Sequence, residues 1–268
     1  MKLAIHDLEN KKAGEKQLPA QFGEEYRPDL IKRAVHALQS AARQAYGASP
    51  DAGFRHSTKV SKRRRDYRGS YGFGISRVAR KVLSRRGTRM FWVGAFSPQT
   101  VGGRRAHPPK SLKDRTQKIN VRENRKAIRS AIASTVDKKV VETRGHKIPQ
   151  LYPFLVSASF ENLAKTKDVE KALLSLGFDE ELERGEYKKV RPGVGKRRGR
   201  PYQRKKSILI VVSQDCPLIK SASNVPGVDI AIVNSLNAEL LAPGAKPGRV
   251  TLWTEKAVDI LETKKLYL

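Results

Sequence analysis

Two runs in the sequence are dense enough in cations to act as units: Lys62-Arg63-Arg64-Arg65, and Lys196-Arg197-Arg198 continued by Arg200 and Arg204. Each guanidinium or ammonium neutralises a phosphate and releases condensed counterions, which gives affinity for a polyanion whatever its sequence. Downstream of the first run, Arg68, Arg77, Arg80, Lys81, Arg85, Arg86, Arg89, Arg104, Arg105 and Lys110 alternate with aromatic rings, Tyr71 and Trp92 among them, and with His107. Rings stack on unpaired bases, and glycine lets a backbone lie close to nucleic acid; Arg68-Gly69-Ser70-Tyr71-Gly72-Phe73-Gly74 supplies all of these features. The combination favours folded RNA over duplex DNA, because no helix-turn-helix, zinc-finger or basic-zipper signature is present. These residues form the candidate RNA-contacting set.

Other chemistry is poorly supplied. His6, His36, His56, His107 and His146 are scattered without a partner at ligand spacing, so no metal site is expected. The lone Cys216 rules out an intramolecular disulfide and has no histidine or carboxylate tied to it by motif; a buried small side chain is the expectation. Asp215 beside it is read as a helix cap rather than a catalytic acid. Gly193-Val194-Gly195-Lys196-Arg197-Arg198-Gly199 resembles a phosphate loop but lacks the hydroxyl that holds magnesium, and Asp7-Leu8-Glu9-Asn10 after the first strand has no dinucleotide-binding glycines. No catalytic residue and no cofactor follow from these residues.

The elements that must position the cations emerge from the charge distribution. The chain has 268 residues and a net charge of +29. Residues 43–113 hold 18 Lys or Arg against 2 Asp, and residues 184–206 hold 11 against one Glu, so the remaining 174 residues are close to neutral. This reads as a globular body, 1–42 with 114–268, carrying an extended basic arm at 43–113 and a second basic segment at 184–206. The arm contains 9 glycines and 8 aromatics over 71 residues with no clear periodicity, far beyond ordinary loop length. A short basic helix over Arg77–Arg89, lying on a polyanionic membrane surface, is the rival to RNA.

In the body, Lys2–His6 reads as a strand and residues 29–42 as a helix, with Leu30, Ile31, Ala34, Val35, Leu38, Ala41 and Ala42 on one face. Asn120 and Glu123 form a candidate capping pair for a helix that buries Ile128, Ala131, Ile132 and Thr135. Apolar, β-branched runs at Phe154–Ser157, Ile208–Ser213, Val228–Val233 and Val250–Trp253 suit parallel strands covered on both faces, and helices are expected over Lys167–Leu176 and Glu255–Thr263. Strand and helix alternating in this way predict an α/β domain with a mainly parallel sheet. The longest apolar run, Ile208–Val212, is far short of the about 20 residues needed to span a bilayer. The opening Lys2–Asp7 lacks the apolar region of a signal peptide, and with a single cysteine the expected setting is reducing and cytoplasmic.

Several longer stretches resemble the large-subunit ribosomal protein four family in its archaeal form. They are Gly103-Arg104-Arg105-Ala106-His107-Pro108-Pro109-Lys110, Lys113-Asp114-Arg115, Arg125–Ala133, Arg144-Gly145-His146, Ser207–Val211, Asn237–Gly244 and Pro247–Val250. The resemblance covers nearly the whole chain. It implies a three-layer α/β/α domain that binds and organises large-subunit ribosomal RNA without catalysing a reaction. It also implies a long internal loop reaching the peptide exit tunnel, beside another ribosomal protein whose hairpin lines it. Neighbouring ribosomal proteins, the nascent peptide in passing, and one copy per ribosome without self-association follow from the same resemblance; a membrane partner does not. Tyr71-Gly72-Phe73-Gly74 matches the stretch leading into the loop tip, placing the tip at about residues 70–82, with Ser70, Tyr71, Gly72, Phe73, Gly74, Arg77 and Arg80 facing the tunnel. The chain departs from the pattern over residues 75–98, where Met90-Phe91-Trp92-Val93 is unexpectedly apolar and a short helix near Arg77–Arg86 is one alternative. An RNA-modifying enzyme with a basic guiding arm and a free-standing RNA-binding regulator are the rival functions.

Overall fold

The computed structural model describes residues 1–268. In chain order the regular elements are β1 (Lys2–His6), β2 (Lys12–Gln17), α1 (Pro28–Ala41), β3 (Arg80–Arg86), β4 (Arg89–Gly94), α2 (Val121–Val136), α3 (Lys138–Arg144), β5 (Leu155–Val156), α4 (Thr166–Ser175), α5 (Asp179–Glu186), β6 (Lys188–Val190), β7 (Tyr202–Arg204), β8 (Leu209–Val212), α6 (Pro217–Ala222), β9 (Asp229–Ile232), α7 (Ala238–Leu241), β10 (Thr251–Thr254) and α8 (Glu255–Thr263). The chain separates into two compact units, Met1–Ala42 with Thr116–Leu268, and Arg43–Arg115.

The larger unit is built on a six-stranded sheet in the order β2-β1-β5-β10-β8-β9. Only the β1/β2 edge pair is antiparallel; every other pairing is parallel. A parallel sheet needs both faces covered, and the side-chain alternation of its strands supplies two apolar surfaces. Leu209 and Val211 of β8 join Leu3, Ile5, Leu155 and Trp253 in a core closed by Ile31, Ala34 and Val35 of α1, Ala131 and Ile132 of α2, Leu241 of α7 and Val258 of α8. Ile210 and Val212 face the opposite way, into a core with Val156, Leu252, Val141 of α3, Val169 and Leu173 of α4 and Leu218 of α6. The result is a three-layer α/β/α sandwich with a mainly parallel sheet.

A buried carboxylate fixes the carboxyl ends of two central strands. Glu161 accepts hydrogen bonds from the Ser213 amide at 2.9 Å, the Ser213 hydroxyl at 2.8 Å and the Thr254 hydroxyl at 2.7 Å. Three donors on one carboxylate satisfy a charge that would otherwise be costly to bury.

Three local expectations differ from the structure. The helix after Asn120 begins where the sequence places it, but the Asn120 side chain makes no capping bond. Glu123, the other half of the expected box, is drawn instead to Arg33 of α1 at 3.1 Å. Asp215 does not cap α6: Cys216 occupies the cap position, Pro217 opens the helix and Asp215 is exposed. Proline needs no amide partner at a helix start, so the carboxylate has no capping task there. The β5 strand is only Leu155–Val156, shorter than the Phe154–Ser157 run, because only those two residues align with both neighbours.

In the smaller unit the alternative of a short helix over Arg77–Arg86, and of a basic helix over Arg77–Arg89, is corrected to an antiparallel hairpin. β3 and β4 pair from Arg80↔Gly94 to Arg86↔Arg89, with Leu83 as the extra residue of a bulge. Gly87 at φ +59 and Thr88 form a two-residue connection, and a positive φ at the first loop position is what tight hairpin turns require. The cations that suggested a helix are spaced as readily for a ribbon, and the β-branched and aromatic residues of Met90–Val93 decide between them. Gly103 is obligatory further on, since a Cβ there would lie 2.1 Å from the Ser97 carbonyl oxygen.

Candidate nucleic-acid interface

In the smaller unit, rings and cations are stacked in pairs along the chain. Arg77 lies over Tyr71 at 5.2 Å, Arg80 over Trp92 at 5.5 Å, Arg104 over Phe54 at 5.1 Å, and Arg115 over Tyr46 at 3.8 Å. Tyr67 sits between Arg68 at 5.7 Å and Arg85 at 5.6 Å. A guanidinium held over a ring is pre-oriented, and hydrogen bonds fix two of them further, Arg77 to the Tyr71 hydroxyl at 3.2 Å and Arg80 to the Ser76 hydroxyl at 3.0 Å. The Arg80 and Trp92 pair follows from the hairpin register, which sets Val82 opposite Trp92 and Arg80 two residues along the same face.

The turn that carries Lys62–Arg65 is held by an internal carboxylate. The Ser61 hydroxyl donates to Asp66 at 2.5 Å, and this hydrogen bond is the main reason the Asp66 acid stays below its ordinary range. A β-bridge between Ser61 and Gly69 closes the segment. Lys62, Arg63, Arg64 and Arg65 are consequently displayed outward, and all four are exposed. Tyr71, Arg77, Arg85, Arg86, Arg89, Arg105, His107 and Lys110 are exposed too, while Arg68, Arg80, Lys81, Trp92 and Arg104 are half-buried. Within the tip sequence, Tyr71, Gly72, Phe73 and Gly74 are exposed, with Phe73 at 71%, but Ser70 is turned inward at 4%.

The second basic segment is a small hairpin on the α/β unit. β6 pairs with β7, Lys188 opposite Arg204 and Val190 opposite Tyr202, and the Lys188 ammonium lies 4.2 Å from the centre of the Tyr202 ring. Gly193–Arg198 forms a short 3-10 helix at its end, closed by Gly199 at φ +75. Lys196, Arg197, Arg198, Arg200 and Arg204 are all exposed. The phosphate-loop look-alike is therefore the tip of a ribbon, not a strand-to-helix turn.

Sequence reasoning missed the polar cluster at the foot of this ribbon. Glu181 of α5 is buried and accepts from the His146 ring at 2.7 Å, the Lys147 amide at 2.9 Å, the Ser207 hydroxyl at 2.8 Å and both Arg184 nitrogens at 2.5 and 2.8 Å. These bonds outweigh burial and hold its acid at about 2, while burial pushes the His146 imidazolium below its ordinary range. Arg249, 1% exposed, donates to Asp229 at 2.5 Å and to the Ser207 carbonyl at 2.7 Å. Nothing in the spacing of His146, Glu181, Ser207 and Arg249 announces this, since four separate segments supply the groups. Cys216, expected to be buried, is half-buried with its thiol pushed up by partial burial.

The comparison with known proteins bears on the whole chain. Residues 16–264 match the family described as the ribosomal protein L4/L1 family. The chain belongs to that family. A protein of Nanoarchaeum equitans, named large ribosomal subunit protein uL4, is 48% identical over the full length of both chains. Proteins of the same name from Archaeoglobus fulgidus and Methanococcoides burtonii are each 44% identical, covering 97% and 96% of this chain and 98% and 96% of their own. The similarity takes in both basic segments as well as the α/β unit. It also sets aside an RNA-modifying enzyme: the family is one of structural, non-enzymatic ribosomal components.

Proposed function

We propose that this chain is a structural constituent of the large ribosomal subunit, in the cytoplasm, that binds and organises large-subunit ribosomal RNA during assembly. The observation that carries this reading is full-length similarity to archaeal large-subunit proteins in a chain whose excess charge lies in two exposed segments. The α/β unit serves as the anchor. Its β6/β7 hairpin and the residue 43–113 arm supply the phosphate contacts, and rings such as Tyr71 and Phe73 supply stacking on unpaired bases. Such contacts lower the free energy of one RNA arrangement relative to others and need no chemical step.

In the finer reading the arm reaches the peptide exit tunnel and partly lines it, next to another ribosomal protein and in passing contact with the nascent peptide, with one copy per subunit. Tyr71–Gly74, Ser76 and Arg77 are exposed, which supports a tunnel-facing surface that includes Tyr71–Gly74 and Arg77. The membrane alternative loses its footing because the Arg77–Arg89 stretch is a hairpin, without the amphipathic face of an interfacial helix.

The test tethers an iron chelate to a cysteine at the tip (F73C in a C216S background) in assembled large subunits and maps hydroxyl-radical cleavage of the RNA. Cuts confined to RNA lining the tunnel are expected. Cuts confined to the outer surface of the subunit would overturn the tunnel assignment.

A further inference from the structure

The α/β unit has a cavity of about 640 Å³ between the foot of the β6/β7 hairpin, the end of α3 and the loop after α7. Seven cations line it, Arg144, Arg184, Lys189, Arg204, Lys205, Lys206 and Lys246, and no acid does. Arg184 and Lys206 are neutralised from behind, by Glu181 at 2.5 Å and Asp229 at 2.9 Å. The other five form no ion pair.

Arg144 is the informative member. It is half-buried, and its guanidinium is fixed by the Pro243 carbonyl at 2.8 Å and the Pro247 carbonyl at 3.4 Å. No carboxylate is near enough to favour its charge. Burial, followed by repulsion from Arg249 and Arg184, pulls its pKa down to about 10. A rigid, partly desolvated cation among like charges is a local electrostatic debt that an anion in the cavity would cancel.

We infer that this cavity is a binding site for phosphoanions, occupied in the assembled particle by a bend of RNA backbone that presents two or more phosphates to Arg144, Lys189, Arg204 and Lys246. The inference rests on the RNA-binding reading above and adds to it a defined site on the α/β unit. The volume lies within the range of small-ligand sites, about 300–1,000 Å³, which is larger than one phosphate requires. Every charged group of the lining is a cation, which suits the site to the phosphate backbone common to all sequences. Arg144 and Lys246 stand outside both dense basic runs, and the fold alone brings them to the hairpin. A free polyphosphate shares this chemistry and is the competing source.

The experiment uses the full chain and the double variant K189Q/K246Q. Both lysines are exposed and form no side-chain bond in the body, and a thermal melt verifies that the variant is folded. Two readouts are taken: binding to a large-subunit ribosomal RNA transcript across a salt series, and amide NMR shifts of Gly244 and Lys205 during titration with inorganic tripolyphosphate. Each phosphate contact contributes about 0.7–0.9 to the slope of log affinity against log salt, so the variant should lose about 1.4–1.8 of slope. The saturable tripolyphosphate shifts seen in the wild type should disappear with it. Loss of the shifts with an unchanged RNA slope would mean that the cavity takes free phosphoanions, overturning the RNA assignment. No change in either readout would overturn the site itself. A wild-type chain with no salt-dependent RNA affinity would instead contradict the proposed function, and the NMR arm would still decide the cavity.

Discussion

Glu181 shows how one buried carboxylate can organise a surface ribbon. It takes hydrogen bonds from α3's following loop, from its own helix and from the start of the segment leading to β8, so the β6/β7 hairpin springs from a rigid base. Glu181→Gln removes the charge while His146 and Arg184 remain. Leaving the Arg184 guanidinium without its carboxylate costs about 3–5 kcal/mol, read as a lower urea midpoint at pH 7. The pH dependence has a definite sign. Glu181 is held at about 2 against an ordinary 4.5, so its stabilisation is complete above about 4.5 and is lost as pH falls toward 2. His146, buried neutral below its ordinary 6.5, contributes in the same direction: stability erodes as pH drops below that value, because the unfolded chain takes up the proton first. In E181Q the loss between pH 4.5 and 2 should flatten. An unchanged acid limb would assign acid sensitivity to another carboxylate.

At the scale of elements, legibility followed periodicity. Residues 29–42 and Glu255–Thr263 carry apolar side chains at helical spacing, and helices stand there as Pro28–Ala41 and Glu255–Thr263. The run Ile208–Ser213 is apolar on both faces because β8 lies inside a parallel sheet between β10 and β9. β2 (Lys-Ala-Gly-Glu-Lys-Gln) left no such mark, being an edge strand that packs on one neighbour. The polar α5 left none either, since its main buried group is the carboxylate of Glu181. The β3/β4 hairpin had a signal, Gly87-Thr88 between two strand-like runs, but the cations around it masked the pattern. Charge located the candidate interface; it gave no hint of the Arg144–Lys246 convergence, which exists only once α3 and the loop after α7 are folded. The arm also permits a prediction of its own. The Ala48 amide and the Pro109 carbonyl are 2.9 Å apart, so a few glycine and serine residues can replace 49–108. Because the sheet and both apolar cores lie outside residues 43–115, the shortened chain should keep its helical circular dichroism, with a melting temperature within about 2 °C. Wholesale loss of helical signal would make the arm part of the folding core.

In the whole molecule a near-neutral α/β/α body is combined with two cationic segments, and the net charge of +29 needs a polyanion of comparable extent to offset it. A regulator that visits many RNAs and a constituent of one particle would share the same phosphate chemistry. They differ in whether the complex survives when salt removes the counterion contribution, since a constituent is also held by shape, stacking and enclosed contacts. The most direct measurement is therefore sedimentation of a cell lysate through a sucrose gradient after a high-salt wash, with this chain quantified across the free, small-subunit and large-subunit fractions. The chain is expected to remain with the large subunit at about one copy per particle. Its transfer to the free fractions would contradict that, and would make the chain a loosely held factor.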